Sequence, residues 1–363
     1  MQEAETVTSQ HMTDDPLSLG TQHQLGTHRA TYKPPTTASQ IILWSIFFLL
    51  FLGIALWAMI ETVGVYFYHI PWLIVLGGAI VFVIIALHVY RIRNVIQNRT
   101  QSVFVYDDGL INVWHTSLQV IYWQRVQAVW HKVTEIRLQQ GSIYAHVYTV
   151  SCTDGTKLKF YENTVRNMLQ LGKLIEEETA HYLFPAILNA YQVGQPVVFG
   201  SLTMTREGLS YRSKMLLWGE VKSIKIENWA IVLRKQGKRS DWASVKLGVV
   251  PNVEVFKRLV RHVIAETARQ LFPAILNRYQ MGQPVVFGSL TVTQEGLSHR
   301  SHRLPWTRIK RRRILANEIS ESRLVIRELG KLFSWASVNL DAPQIEVFWM
   351  LVDHIRGVSL SGV

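Results

Sequence analysis

The residues of this chain best suited to binding chemistry are basic, and they lie close together in its last third. A run that reads RIKRRR begins at Arg308, and Arg300 and Arg303 precede it. If the run forms a strand, alternate side chains share a face, which brings Arg308, Lys310 and Arg312 together. Guanidinium groups bind carboxylates and phosphates through paired hydrogen bonds. These five residues are therefore the candidate site for anionic lipid headgroups or a protein partner.

The same charges also have an explanation that needs no ligand. Charged side chains on an edge strand stay in water and prevent the strand from pairing with other chains. Nucleic acid is bound mainly through its phosphates, so such a surface would attract it as well. If the chain is attached to a membrane, lipid headgroups are favoured as the ligand and nucleic acid is disfavoured. The solvated edge remains an open alternative.

A second set of residues has the types needed for catalysis. Cys152 with His131 or His146 would make a nucleophile and its base. Cys152 lies in the string YTVSCTDG, which is typical of a strand in which a small thiol simply packs. The sequence has no phosphate-binding glycine loop, no serine elbow and no cysteine pair for zinc. We predict no enzyme, no cofactor and no metal site, with an enzyme whose site lies between units as the alternative.

An internal repeat organises the second half of the chain. Residues 183–218 and 271–306 are identical at 28 of 36 positions, at an offset of 88 residues. The string WASV follows each copy, at Trp242 and Trp335, where the offset has grown to 93 residues. The extra residues belong in a loop between these two markers. Each copy is therefore one structural unit.

Inside each copy the apolar pattern changes from a strand period to a helix period. Apolar and polar residues alternate around Gly208 and Gly296, which predicts a hairpin with glycine at a turn of positive φ. The repeated tryptophans are interpreted as core residues; they are Trp218, Trp242, Trp306 and Trp335. An amphipathic helix closes each copy, and Pro185 and Pro273 are predicted to kink or restart the helices that contain them.

Residues 103–182 follow the same order without close identity. The string YDDGL predicts a hairpin at Gly109, and Trp123 follows as the later tryptophans do. We therefore predict three units of strands followed by one closing helix, at residues 103–182, 183–270 and 271–356. Residues 1–39 are polar and have no apolar period, so they are predicted to be a disordered tail.

Two apolar blocks precede the predicted units. Residues 41–60 and 71–90 contain no Asp, Glu, Lys or Arg, and each is long enough to span a bilayer as a helix. Basic residues such as Lys33 and Arg91 flank the pair, and none lies in the connecting loop. The positive-inside rule then predicts a two-helix protein of the cytoplasmic (inner) membrane with both termini in the cytoplasm. The net charge of +12 is −3 before residue 91 and +15 after it.

The order of strands and one C-terminal helix resembles a pleckstrin-homology-like (PH-like) domain over residues 103–356. The sequence also resembles an uncharacterised family of bacterial membrane-attached proteins at Tyr106–Leu110, Trp123, Val126, Val129, Trp130, Leu304–Trp306 and Trp335–Val338. These resemblances imply tandem barrel-plus-helix units and membrane attachment, and they imply no activity. We expect a membrane-anchored, non-enzymatic scaffold or sensor whose tandem units bind a protein partner or anionic lipid at the cytoplasmic face.

Overall fold

The computed structural model describes most of the chain outside its apolar blocks. The described residues are 16–34, scattered positions between 45 and 93, and 101–114, 117–139, 141–300, 302–310, 323–330, 334–340, 342–355 and 357.

The N-terminal part of the chain forms a four-stranded antiparallel sheet with one short helix, α1, at Pro16–Gln22. The strands β1 to β4 lie side by side in chain order and span His28–Tyr32, Ser102–Tyr106, Gly109–Trp114 and Ser117–Tyr122. A small core joins the helix, the loop after it and the sheet; its buried members are Leu19, Leu25, Phe104, Tyr106 and Ile111.

Helix α1 and strand β1 correct the predicted disordered tail within residues 16–34; the rest of residues 1–39 lies outside the described residues. Residues of β1 pair with β2 in antiparallel register, with Thr31 opposite Phe104. The hydroxyl of Tyr106 donates a hydrogen bond to the carbonyl of Pro16 at 2.7 Å. The sequence of β1 has no apolar period that would predict a strand. It is held instead by backbone hydrogen bonds to β2, which follows the two apolar blocks in the chain.

A long hairpin comes next. Strands β5, Val126–Leu138, and β6, Gly141–Cys152, pair antiparallel over almost their whole length. Strand β7 spans Lys157–Tyr161, and helix α2 spans Met168–Gln192. These elements complete the first repeat.

The second and third repeats each contain a four-stranded sheet, a three-stranded sheet and a closing helix. In the second repeat the strands β8 to β14 span Val197–Phe199, Leu202–Met204, Gly208–Tyr211, Lys214–Leu217, Val221–Glu227, Ala230–Lys235 and Asp241–Lys246, and helix α3 spans Val253–Gln280. In the third repeat β15 to β21 span Val285–Phe287, Leu290–Val292, Gly296–His299, His302–Pro305, Ile309–Lys310, Arg323–Glu328 and Ser334–Asn339, and helix α4 spans Ala342–Ile355.

Each of these two repeats encloses its own apolar core between both sheets and the closing helix. In the second repeat Phe199 meets Phe256 edge to face, with ring centroids 5.3 Å apart. Phe287 and Phe348 repeat this contact at 5.5 Å in the third. All four rings are buried, and burial of a side chain of this size contributes about 1.5–3 kcal/mol. The aromatic pair anchors each helix to the first strand of its repeat.

Helix α3 serves both cores. Its first half, as far as Ile264, packs in the core of the second repeat, and Ala268 and Phe272 pack in that of the third. Pro273 lies inside this helix and Pro185 lies inside α2, yet each helix continues beyond its proline. The helices therefore do not restart at the two prolines, and the alternative of a kink at each proline stays a prediction.

One glycine in each repeat is required by a close backbone approach. A Cβ on Gly208 would lie 2.2 Å from the carbonyl oxygen of Leu216, and one on Gly296 would lie 2.3 Å from that of Leu304. Gly109 has the same relation to Ile121, at 2.2 Å. At Gly208 the glycine is therefore needed because the facing strand is too close for any side chain, which differs from the predicted positive φ. At Gly296 both reasons apply, since its φ is 153°.

A tryptophan marks the same point of every repeat. Trp123, Trp218 and Trp306 each begin a 3₁₀ turn directly after a four-stranded sheet. The indole Nε1 atoms donate hydrogen bonds to the carbonyls of Tyr106 at 3.3 Å, Thr205 at 2.9 Å and Thr293 at 3.1 Å. Each tryptophan thus packs against its sheet and also closes the hairpin that carries the required glycine.

The chain divides into two compact units. One contains Met1–Arg125 with Lys159–Leu171, and the other contains Val126–Leu158 with Gly172–Val363. The sheet β1–β4 belongs to the first unit. The β5–β6 hairpin, most of α2 and the whole of the second and third repeats belong to the second.

The predicted membrane architecture is wrong. In the part of the chain that the structure describes, no helix is long and apolar enough to cross a membrane. Helix α3 carries charged side chains along its length, and helix α2 carries four between Lys173 and Glu178. Most of residues 41–60 and 71–90 lie outside the described residues. The fold consists mainly of antiparallel sheets with helices, and the prediction of a two-helix inner-membrane protein is corrected accordingly.

Replacing Gly208 with Ala tests the close approach. The new methyl group would force β10 and β11 apart, so we expect the free energy of unfolding to fall by about 2 kcal/mol, measured by urea denaturation. Gly219→Ala is the matched control, because a Cβ there meets no atom within 4 Å. Equal losses in the two variants would contradict the steric explanation.

Candidate functional site

The predicted basic residues lie on the third repeat, around the β17–β18 hairpin. Arg300 occupies the hairpin turn with φ of 55° and is exposed. The Arg303 side chain is 81% exposed, and its Nη1 lies 3.4 Å from a carboxylate oxygen of Glu295. A recess with a volume of about 590 Å³ adjoins the hairpin, and Thr291, Ser298 and Arg303 contribute to its lining. The recess is lined by both polar and apolar residues and lies beside a partly neutralised cation.

Arg308 does not share a strand face with its neighbours. It ends the 3₁₀ turn Trp306–Arg308, and β19 contains only Ile309–Lys310. The strand alternation predicted for Arg308, Lys310 and Arg312 therefore fails at its first member. Lys310 pairs with Arg327 of β20, and Arg312 lies outside the described residues.

The Arg308 side chain has a carboxylate partner inside the repeat. Its Nη2 lies 3.0 Å from Oε1 of Glu328, whose side chain is only 7% exposed. The carbonyl of Arg308 also accepts a hydrogen bond of 2.7 Å from the Leu329 amide. A nearly buried carboxylate without a cation would be strongly destabilising, so Arg308 has a structural task.

The second repeat contains the same ion pair with its charges reversed. Glu220 occupies the position of Arg308 and lies 2.7 Å from Lys235, which occupies the position of Glu328. The carbonyl of Glu220 accepts the Gln236 amide at 2.9 Å, as the carbonyl of Arg308 accepts that of Leu329. The repeats have kept the pairing of opposite charges and not the sign at either position. Arg308 is therefore better explained by folding than by ligand binding.

The residues proposed for an alternative catalytic centre do not come together. Cys152 is 4% exposed and pairs with Val126 at one end of the β5–β6 hairpin. His131 pairs with Tyr148, four residues farther along, which is about 13 Å at the rise of a strand. A buried thiol at that separation cannot use the histidine as its base.

The structure instead places the two histidines in a buried polar cluster that the sequence did not reveal. Nε2 of His131 lies 3.0 Å from Nδ1 of His146, and both residues are buried. Nδ1 of His131 lies 4.0 Å from Oε1 of Glu176 on helix α2. His131 stacks on Tyr148, with ring centroids 4.1 Å apart, and Trp229 closes the cluster edge-on. We call these five residues the histidine cluster.

Burial controls the charges of the histidine cluster. Removal from water, together with the nearby His146 ring, lowers the pKa of His131 to about 4. Burial raises the pKa of Glu176 to about 7; Lys257 lowers that pKa and Glu254 raises it. The carboxyl and His146 meet different nitrogens of His131, so the three do not converge on one metal position. His131 has the strand phase of Val129 and Val133, which was the signal in the sequence for a buried polar residue.

A double-mutant cycle tests the structural role of Arg308. Arg308→Glu and Glu328→Lys should each reduce the free energy of unfolding by about 1–3 kcal/mol, because each leaves like charges together. The double variant recreates the polarity of the second repeat and should recover most of the loss. The exposed Arg303 and Glu295 pair is the control cycle, with a coupling of about 0–1 kcal/mol. An uncoupled Arg308 and Glu328 pair would return Arg308 to the candidate ligand surface.

Comparison with known proteins gives one result. A family of unknown function, DUF6585, matches residues 12–269 and again residues 263–358. No curated protein and no solved structure matches the chain. The family match does not extend to a PH-like family or to a bacterial membrane family. Because the matched segments cover most of the sequence, the chain belongs to the DUF6585 family, a family of unknown function.

Proposed function

We propose that this chain is a non-enzymatic binding scaffold built from tandem PH-like units. The observation that supports it is the element order of the second and third repeats: four antiparallel strands, a tryptophan turn, three antiparallel strands and a closing helix. That order is the one expected of a PH-like domain. Such folds carry many unrelated functions, so the binding surface has to be argued from its residues.

Because the second and third repeats share helix α3, their relative position is fixed. The helix has 28 residues, and apolar side chains along it belong to one core and then to the next. A flexible linker would let each unit bind independently, whereas a shared helix holds two surfaces at one spacing. A fixed spacing suits a scaffold that positions a partner.

A protein partner with an acidic segment fits the surface of the third repeat best. Arg300 and Arg303 project from one hairpin, beside a recess lined by hydroxyl groups. The second repeat has Arg212 and Met215 at the equivalent positions, so the third repeat carries the extra guanidinium. Guanidinium groups with a polar rim recognise carboxylates by geometry.

Anionic lipid headgroups are the less favoured ligand. Attraction to a charged lipid surface depends on unneutralised positive charge, at about 1 kcal/mol for each basic residue. Arg303 and Arg308 each face a glutamate of the same repeat. Their net field is therefore weaker than the number of basic residues suggests.

Binding of a Glu-rich peptide by the full chain tests the proposal. We expect binding that weakens with added salt, as screening of surface charges requires. The variant Arg300→Gln, Arg303→Gln should bind about tenfold more weakly, because two contacts of roughly 0.5–1 kcal/mol are lost. Fluorescence anisotropy of the labelled peptide measures the change.

The matching β10–β11 hairpin of the second repeat supplies the control variant. Arg212→Gln with Lys214→Gln removes charge from the matching hairpin and should leave the affinity unchanged. An equal loss in the two variants would mean unspecific attraction, and the proposed surface would be wrong. Vesicles with anionic lipid form a parallel arm. Binding to those vesicles and not to the peptide would favour headgroups over a protein partner.

A further inference from the structure

The histidine cluster lies where the β5–β6 hairpin of the first repeat meets the second repeat. His131, His146 and Tyr148 come from the hairpin, Glu176 from helix α2, and Trp229 from the turn between β12 and β13. All five belong to the same compact unit of the chain. A polar cluster at a junction is a place where one proton can change how two parts hold together.

Backbone contacts near the cluster fasten this junction. Asn252, which precedes helix α3 with φ of 53°, accepts a hydrogen bond from the Val129 amide through Oδ1 at 2.9 Å. Its own amide donates to the Val129 carbonyl at 2.8 Å, and its Nδ2 donates to the carbonyl of Gln127 at 3.1 Å. Asn252 thus occupies the edge of β5 as a short strand would. The Val129 and Asn252 amides report directly on whether the junction is closed.

The buried rings of the histidine cluster are tightly packed, while Trp229 is partly exposed at its edge. A Cβ on Gly172 of helix α2 would lie 2.1 Å from the Tyr148 ring. Tyr148 in turn stacks on His131, and Trp229 contacts His146 with ring centroids 4.9 Å apart. A charge that appears on His131 is therefore poorly hydrated, because both imidazole rings and the Tyr148 ring are buried.

The charged groups around the cluster are few and can be named. Helix α2 contributes Glu176 and Glu177, and Glu177 pairs with Lys173. Helix α3 contributes Glu254, which pairs with Lys257, Arg258 and Arg261. The hairpin contributes His131, His146 and Tyr148, and burial raises the pKa of that phenol. The β12–β13 turn contributes only the uncharged Trp229. The cluster is balanced when His131 is neutral and Glu176 carries its proton.

We propose that the histidine cluster is a single-proton lock, which holds the β5–β6 hairpin against the second repeat when one proton is bound and loosens when that proton is lost or a second is gained. Loss leaves a carboxylate that burial disfavours and that Glu254 and Glu177 repel, against attraction by Lys257. A second proton leaves an imidazolium beside His146 among buried rings. Either state places an unbalanced charge within the junction.

Glu176 and His131 make the stability of the junction depend on pH in opposite directions. The pKa of Glu176 rises to about 7 in the folded chain, so its stabilising contribution is complete below its usual pKa of 4.5 and is lost as pH rises through 7. The pKa of His131 falls to about 4, so its contribution is complete above 6.5 and is lost as pH falls toward 4. Between pH 4.5 and 6.5 the two trends cancel, and the junction should be nearly insensitive to pH.

Replacing either Glu176 or His131 should expose the pH dependence that the other residue gives to the junction. In Glu176→Gln we expect protection of the Val129 and Asn252 amides from hydrogen exchange to fall about tenfold between pH 8 and pH 5, because His131 then acts alone. In His131→Phe the protection should change in the opposite direction, falling about tenfold from pH 5 to pH 8. Protection factors corrected for intrinsic exchange are measured in the full chain, with peptides of the third repeat as an internal reference.

A second His–Glu pair supplies the matched control. His262 and Glu266 on helix α3 also lie 4.0 Å apart, but both side chains are partly exposed, so Glu266→Gln should keep the wild-type profile. Parallel profiles in Glu176→Gln and His131→Phe would overturn the lock, as would equal changes in the third-repeat peptides. If a variant fails to fold, NMR of the His131 ring in the unaltered chain decides: a neutral ring at pH 5 supports the lock and a charged ring refutes it.

Discussion

Helix α3 has to satisfy two apolar cores at once, and this constraint organises the second and third repeats. Its first half must face the sheets of one repeat, and its second half must face those of the next. The phase of a helix is fixed at about 3.6 residues per turn, so the rotation between the two faces is set by the number of residues between them. Insertions are therefore tolerated in loops, such as the one between Trp306 and Trp335, and not in the helix.

Local patterns predicted what depends on local geometry. Alternation around Gly208 and Gly296 indicated the hairpins, and the recurring tryptophans indicated positions at which side chains close a sheet. The sequence could not show that the glycine is required by a facing carbonyl, because that contact involves another strand. The prediction that rested on hydropathy alone was wrong: the apolar blocks suggested membrane helices, and no described helix is long and apolar enough to cross a membrane.

The candidate site was predicted only in part for a similar reason. The sequence groups Arg300 and Arg303 with the basic run, and only the structure places them on the β17–β18 hairpin. The role of Arg308 could not, because its partner Glu328 lies on another strand and the turn at Trp306 interrupts the alternation. The histidine cluster draws residues from β5, β6, α2 and the β12–β13 turn. No short window of sequence contains that set, and only the strand phase of His131 hinted at burial.

The separation of β1 from β2 has a consequence for the order of folding. Residues 33–101 lie between two strands that are neighbours in one sheet, whereas the other strands of that sheet are joined by short turns. Closing a loop of this length costs about 2 kcal/mol more chain entropy than closing a turn of a few residues. Contacts between distant residues also slow folding, since the loop must close before any pairing compensates for it. The strand that is synthesised first is therefore expected to join its sheet last, and until then β2 presents an open edge.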